Sequence, residues 1–413
     1  MPAGSPEDGA LSLTDPQPLR RSTTSGGRAD SRRGALPGGG VLPAPAPPAL
    51  GRTVLEVEEL RIHLPTENGL LKAVDGVTFA LQVGRTLGLV GESGSGKSLT
   101  AKTLLRLNPP QFRESGRITL QGTAQDEEVD LLELRRDGPA IRSVRGRRVA
   151  MIFQEPMSAF SPLYTIGDQI MEAVLLHRTA DRDEARTICL EMMRKVGIGD
   201  AGRRIDQYPH EFSGGMLQRA LIAMALSCEP EILIADEPTT ALDVTIQAQV
   251  LELMRELQQE FGMAILFITH DLAVVAEMCD DVAVMYLGAI VEQAEVRELF
   301  RHPRHPYTQG LLRSIPRLGA GRSERLFAIE GTVPQAIDMP PMCGFADRCT
   351  QRIEGVCDTA RPVRVEIAPR HAVRCFLHDP QSVHESRGDR DRREGHGEHG
   401  TDDDHGTHEE RTA

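Results

Sequence analysis

The segment Gly91-Glu92-Ser93-Gly94-Ser95-Gly96-Lys97-Ser98 constrains this chain more than any other. An apolar run, Thr86-Leu87-Gly88-Leu89-Val90, precedes it and reads as a buried strand, and the stretch from Leu99 to Leu107 that follows reads as a helix. A G-x-x-x-x-G-K-S sequence between strand and helix lets backbone N–H groups curl around a phosphate chain, with the positive helix end facing the same anion. Lys97 is then expected to reach the β and γ phosphates of ATP, and Ser98 to offer its hydroxyl to Mg²⁺. The whole run from Gly91 to Leu99 is the candidate phosphate cradle. A Gly-rich turn that binds nothing is the bland alternative, and the placement between a strand and a helix argues against it.

A second apolar strand, Ile232-Leu233-Ile234-Ala235, ends in Asp236-Glu237. Such a pair completes a phosphate-loop site: Asp236 is expected to hold Mg²⁺ and Glu237 to orient and polarise the attacking water. Composition narrows the remaining classes. A net charge of −13 argues against a nucleic-acid binder. No stretch approaches the roughly 18 apolar residues of a membrane-spanning helix, and the N-terminus lacks the apolar core of a secretory signal, which points to the cytosol. The seven cysteines are then not expected to form structural disulfides. Residues 1–50, rich in Pro, Gly, Ala, Ser and Arg, cannot bury enough apolar area to order themselves. Residues 381–413 carry ten Asp or Glu, five Arg and five His, and read as a second disordered segment. Those histidines could bind Ni²⁺ or Zn²⁺, but a solvated polar tail is the stronger reading.

Between the two motifs lies Phe212-Ser213-Gly214-Gly215-Met216-Leu217-Gln218-Arg219, and after them come Ala241-Leu242-Asp243 and Thr269-His270-Asp271. This set, in this order, resembles the nucleotide-binding subunits of ABC transporters. The resemblance implies an α/β fold: a P-loop NTPase core of ABC type with an antiparallel β subdomain, an inserted helical subdomain near 155–222 and a small Cys-containing C-terminal extension. It implies that Ser213, Gly214 and Gly215 complete the site of a second ATPase subunit facing head to tail. It also implies a Q-loop role for Gln154, sensing Mg²⁺ and water, a dimer-seam role for Asp243 and a γ-phosphate switch role for His270. The family's adenine-stacking aromatic is expected near Leu64, which is not aromatic; Leu64 or His63 would have to cover the base instead. Periodicity independently reads 183–196 as an amphipathic helix, with Ile188, Cys189, Met192, Met193 and Val196 on its core face.

Further segments resemble the oligopeptide/dipeptide and nickel importers: Ala73 to Val77, Gln154 to Met157, Tyr208 to Glu211, His305 to Thr308, Leu312 to Pro316 and Glu330 to Pro334. The implied layout is a nucleotide-binding domain over 53–310 and an importer-type extension over 311–380. Late in the chain stand Cys343, Cys349, Cys357 and Cys375, spaced C-x5-C-x7-C-x17-C. Four thiolates suit either a [4Fe–4S] cluster or structural Zn²⁺, or remain reduced in a packed extension. The resemblance to the family's D-type subunits, and not the spacing, favours the cluster. Cys189, Cys228 and Cys279 sit in apolar surroundings and read as packing residues.

The implied function is ATP hydrolysis powering uptake of di- or oligopeptides, with nickel or another small solute as the alternative cargo. The implied partners are a second, F-type ATPase subunit, two transmembrane permeases and an extracytoplasmic binding protein, with the chain peripheral on the cytoplasmic face of the membrane and no nucleic acid. Two rivals are weaker. A chromosome-maintenance ATPase needs long heptad arms for which the stretch from Lys97 to Ser213 has no room, and a soluble ABC translation factor carries two phosphate loops where this chain has one.

Overall fold

The computed structural model describes residues 51–123, 126–240, 242–315 and 328–379. The two expected disordered segments, 1–50 and 381–413, lie outside the described residues, as do Ala241 and Pro316 of the motifs above. The chain opens with two long strands, β1 (Thr53–Thr66) and β2 (Gly69–Gln82), then β3 (Thr86–Val90) and α1 (Lys97–Leu104). There follow β4 (Arg113–Leu120), β5 (Val129–Asp130), α2 (Pro139–Val144) and β6 (Val149–Ile152). A helical stretch comes next: α3 (Pro156–Ala159), α4 (Ile166–His177), α5 (Arg182–Lys195), α6 (Ala201–Arg204) and α7 (Gly214–Leu226). The core resumes with β7 (Ile232–Asp236), α8 (Val244–Phe261), β8 (Ala264–Thr269), α9 (Leu272–Met278), β9 (Asp281–Tyr286) and β10 (Ala289–Glu295). Helices α10 (Val296–Arg301) and α11 (Pro306–Arg313) and strands β11 (Val365–Ala368) and β12 (His371–Val373) complete the order.

Two sheets organise these elements. One is antiparallel, in the order β2-β1-β4-β5, and the other has eight strands in the order β11-β12-β10-β9-β3-β8-β7-β6. Strands β9, β3, β8, β7 and β6 are parallel, and alternate residues of each are buried on opposite faces. Leu87 and Leu89 of β3, Leu266 and Ile268 of β8 and Ile232 and Ile234 of β7 share one core with β1, β2 and α1. Ile265 and Phe267, with Leu233 and Ala235, face the other core, which the helices from α4 to α8 cover. A sheet buried on both faces accounts for the uninterrupted apolar runs that mark these strands in the sequence.

Helix starts follow local chemistry. The side chains of Thr165, Asp181, Ser213, Asp243, Asp271 and His305 each accept a hydrogen bond from a first-turn backbone N–H. The helix expected near 183–196 is α5, with Ala185, Cys189, Met192 and Met193 buried. Strands β1 and β2 form one long hairpin, meeting at a two-residue turn between Thr66 and Gly69. Pro65 is tolerated there because β4 pairs with β1 only up to His63, which leaves this end of β1 bonded on one side.

The C-terminal extension differs most from expectation. It adds strands to the core sheet, with β12 pairing antiparallel to β10 through Glu292 and Val373. It also lies along the β1–β2 hairpin, where Lys72 N–H donates to Ala336 O at 2.9 Å. Among the described residues, no helix is long and apolar enough to cross a membrane.

Candidate functional site

The phosphate loop leaves β3 and enters α1 through glycines that no other residue replaces freely. At Gly96 the backbone is left-handed (φ 100°), and a Cβ would stand 2.5 Å from Ala73 O. At Gly91 (φ 154°) a Cβ would stand 2.0 Å from Met285 O. The loop is therefore pressed against β2 on one side and β9 on the other. The turn after β9 braces it, since Gly288 N–H donates to Ser95 O at 3.1 Å. Lys97 is buried, and its ammonium donates to Gly91 O (2.8 Å) and Glu92 O (3.0 Å). Burial pulls its pKa down, while Glu237, Asp236 and Glu92 push it back up. Ser93 and Gly94 are exposed at the tip, and Leu99 lies half-buried in the first turn of α1.

Ser98 Oγ donates to Asp236 Oδ1 at 3.0 Å. One hydroxyl and one carboxylate from two elements suit Mg²⁺, which keeps most of its octahedral ligands as water and phosphate oxygens. Burial raises the Asp236 pKa, the Ser98 hydroxyl lowers it and Glu237 adds to the rise. Glu237, one residue beyond β7, is a focus of side chains. Gln154 Nε2 donates to its Oε2 at 2.9 Å, Thr240 Oγ1 donates to the same oxygen at 2.9 Å, and His270 Nδ1 lies 3.4 Å from Oε1. Glu237 itself sits at φ 48°, left-handed backbone held by its N–H bond to Ile268 O. The structure thus brings Gln154, Glu237 and His270, from three separate strand ends, onto one carboxylate. Thr240 was not singled out in the sequence; its place three residues after Glu237 was the available signal.

Ser213, Gly214 and Gly215 form the start of α7, with Ser213 and Gly214 exposed. Among the described residues no hydrogen bond or ion pair joins them to the loop at 91–98. Asp243 caps α8, accepting from Thr245 N–H and Ile246 N–H. Near the expected adenine position, Leu64 is half-buried opposite Leu71, and His63 Nε2 lies 3.4 Å from Asp75 Oδ1.

The chain matches the ABC transporter family over residues 74–240 and the oligopeptide/dipeptide transporter C-terminal region over residues 291–357. It is 51% identical over 325 residues, 78% of this chain and 94% of the relative, to a probable peptide ABC transporter ATP-binding protein of Sinorhizobium fredii. The dipeptide transport ATP-binding protein DppD of Bacillus subtilis is 47% identical over 331 residues, 80% of this chain and 96% of that one.

This chain belongs to the ATP-binding subunits of the oligopeptide/dipeptide ABC transporter family.

Solved ABC cassettes share the fold. A dimeric ATP-binding cassette in a post-hydrolysis state bound to ADP and Pi aligns with a TM-score of 0.51 at 23% identity, covering 59% of this chain and 99% of that one. The matched C-terminal region, residues 291–357, touches the phosphate loop. Glu92 N–H donates to Tyr307 Oη at 2.9 Å, and Arg348 binds the Glu92 carboxylate through both Nη1 (2.7 Å) and Nη2 (3.1 Å). His305-Pro306-Tyr307-Thr308 was legible as a family segment, but nothing in sequence spacing ties Tyr307 or Arg348 to residue 92.

The four late cysteines gather at one corner of this extension. Cys343 N–H donates to Cys357 O at 2.8 Å, and backbone N–H groups of Gln351 and Ile353 point at the sulfurs of Cys349 and Cys357. Burial pushes the Cys343 thiol up to about 11 and the Cys375 thiol up to about 12, and neighbouring cysteines add to both shifts. Among the described residues, however, no group of three or more His, Cys, Asp or Glu side chains is placed to hold a metal ion. The arrangement is of neighbouring thiols, not of a formed metal cage. Cys189 and Cys279 are buried as packing residues and Cys228 is partly so.

Proposed function

We propose that this chain is the ATP-hydrolysing subunit of an ABC importer that powers uptake of di- or oligopeptides across the cytoplasmic membrane. The observation that carries the chemistry is the convergence of Gln154, Thr240 and His270 on the Glu237 carboxylate, next to the Ser98–Asp236 pair. In this reading the loop from Gly91 to Leu99 binds the phosphates through backbone N–H groups and α1. Lys97 moves from its carbonyl partners to the β and γ phosphates. Ser98, Asp236 and Gln154 would hold Mg²⁺, which would neutralise charge on the phosphate oxygens. Glu237 accepts a hydrogen bond from the attacking water and aligns it with the γ-phosphorus, while Gln154 and His270 fix the carboxylate.

Ser213 and Gly214, both exposed, and the half-buried Gly215 are offered to the γ-phosphate of a second cassette, and Asp243 lines the seam between the two. Support comes from their separation from the chain's own phosphate loop and from the dimeric state of the solved cassette. The partner subunit in this reading is a distinct F-type ATPase. Two permeases and an extracytoplasmic binding protein complete the importer, and the chain is peripheral on the cytoplasmic face. The apolar side chains Met157 (62% exposed) and Leu163 (78% exposed), just after Gln154, are the surface offered to the permeases. Cargo is assigned to peptides on the names of the relatives. The layout is a cassette over 53–310 followed by the extension to 380. Cys343, Cys349, Cys357 and Cys375 are the candidate ligands of a [4Fe–4S] cluster, tested by iron and sulfide content and the electron paramagnetic resonance of the reduced protein; stoichiometric zinc in place of iron overturns that assignment.

The experiment compares ATPase rates of membranes containing the cognate permeases and second ATPase, with wild type or Glu237→Gln, with and without binding protein carrying a peptide mixture. Loss of a general base costs about 10²-fold or more in rate. Stimulation by loaded binding protein, abolished by Glu237→Gln, is expected. Hydrolysis that depends on Glu237 but ignores peptide moves the cargo to nickel or another small solute.

A further inference from the structure

Glu92, an unspecified position of the G-x-x-x-x-G-K-S pattern, is held by every polar group it has. Its N–H is taken by Tyr307, its carbonyl receives Lys97 Nζ and Ser95 N–H, and its carboxylate is bound at both oxygens by Arg348. Neither Tyr307 nor Arg348 belongs to the phosphate loop or the sheet that carries it. Tyr307 is fully buried on α11, in an aromatic group with Tyr286 and Phe345. Arg348, 7% exposed at its side chain, belongs to the extension, immediately before Cys349. The remaining donors of Arg348 are committed too. Nε reaches Glu330 O at 3.0 Å, Nη2 reaches Ile329 O at 3.4 Å and Nη1 reaches Tyr286 Oη at 3.4 Å. A planar guanidinium bound on several sides has one orientation, so it fixes the carboxylate it faces.

We infer that Arg348 is a positioning residue for the phosphate loop, through which the cysteine-bearing extension sets the affinity of the site for ATP. The inference rests on the ATP-site reading above. Residue 92 follows the glycine at the end of β3, and its carbonyl is where Lys97 rests. A Glu92 released on its side-chain and N–H sides lets the 91–92 peptide turn, and the N–H groups beyond it no longer converge on one phosphate position. Among the described residues, no hydrogen bond or ion pair joins Gln154, Glu237 or His270 to Arg348 or Tyr307. Nucleotide is then bound more weakly in ground state and transition state alike, which raises KM and leaves kcat alone.

The test uses the full importer in lipid nanodiscs and reads KM for ATP, kcat, and equilibrium affinity for a fluorescent ATP analogue. Arg348→Ala is expected to raise KM and the dissociation constant about tenfold, the scale of one charge-assisted hydrogen bond, with kcat changed less than about twofold. Arg348→Lys restores part of the affinity. Glu92→Ala is expected to raise KM and the dissociation constant by a similar factor, and in both the double variant is no worse than either single one, because both act through the same contact. Unchanged KM with lowered melting temperature, or effects of Arg348→Ala and Glu92→Ala that multiply, overturns the inference. Should Arg348→Ala not fold, Tyr307→Phe removes only the hydroxyl that receives Glu92 N–H. It is expected to raise KM about threefold, as for one neutral hydrogen bond, and an unchanged KM overturns the inference. Lys97→Ala serves as the separate control: wild-type ATP binding in that variant sinks the ATP-site reading, whatever Arg348 does.

Discussion

Gly94 and Gly96 stand two residues apart in the phosphate loop with left-handed backbone (φ 79° and 100°), yet their surroundings differ. A Cβ at Gly94 meets nothing within 4 Å, while one at Gly96 meets Ala73 O at 2.5 Å and the Met285 methyl at 2.9 Å. Gly94→Ala then costs only the backbone term, about 1–2 kcal/mol, and leaves nucleotide affinity within a few fold. Gly96→Ala adds displacement of β2 or of the loop, so calorimetric titration with ATP is expected to show binding weakened at least about tenfold. Most of the candidate site was legible at this scale, because Lys97 and Ser98 end a Gly-rich loop that follows an apolar strand, and Asp236 and Glu237 end another. Gln154 and His270 were placed by resemblance, and their meeting on Glu237 follows from parallel strands β6, β7 and β8 ending on one edge. Arg348 and Tyr307 were not legible as site residues, since a contact between Glu92 and Arg348 depends on how the chain returns and leaves no periodic mark.

At the scale of elements, the start of α11 is sensitive to protons. His305 is buried, and burial drops its pKa to about 4, partly opposed by Glu292. Its Nδ1 accepts from Tyr307 N–H at 3.1 Å, so the ring is neutral with its proton on Nε2. A base whose folded pKa is depressed takes up protons first in the unfolded chain. Its contribution is complete above the unfolded value of about 6.5 and is lost as pH falls toward 4, a change on the order of 3 kcal/mol. Melting temperature is therefore expected to fall between pH 6.5 and 4, and His305→Asn, which keeps a capping acceptor without titrating, should flatten that part of the profile. A profile unchanged by the substitution assigns the pH dependence elsewhere. The β9–β10 hairpin was missed in the sequence, although the continuous apolar runs Val282 to Tyr286 and Ala289 to Val291 on either side of Leu287-Gly288 carried the signal. Both turn residues take positive φ (45° and 78°), the geometry of a tight hairpin turn.

For the molecule as a whole, the fold class was legible and the attachment of the extension was not. β12 is three residues long, too short to register as a strand, yet all three are buried, and His371 Nε2 meets the fully buried Glu292 at 2.8 Å. Burial works against the charged form of Glu292, but His371, Thr308 and two backbone N–H groups outweigh it and hold the pKa below the usual carboxylate range. Ending the chain after Ser314 would remove His371 and uncover one edge of β10. A loss of several kcal/mol, the scale of leaving a buried carboxylate without its partner, and concentration-dependent aggregation are expected, read by chemical denaturation and light scattering. A truncated chain as stable and as free of aggregation as the full one contradicts this account.

The pairing of β12 with β10 also bears on how such a chain can arise. A cassette that ends before the extension must close the outer edge of β10 in some other way, with charge, a proline or a covering loop. Gaining the extension means giving up that closure, and losing it means inventing one, so neither step is neutral by itself. The extension and the cassette are for this reason tied to each other: with β12 zipped to β10, the segment is as hard to shed as any strand within the sheet.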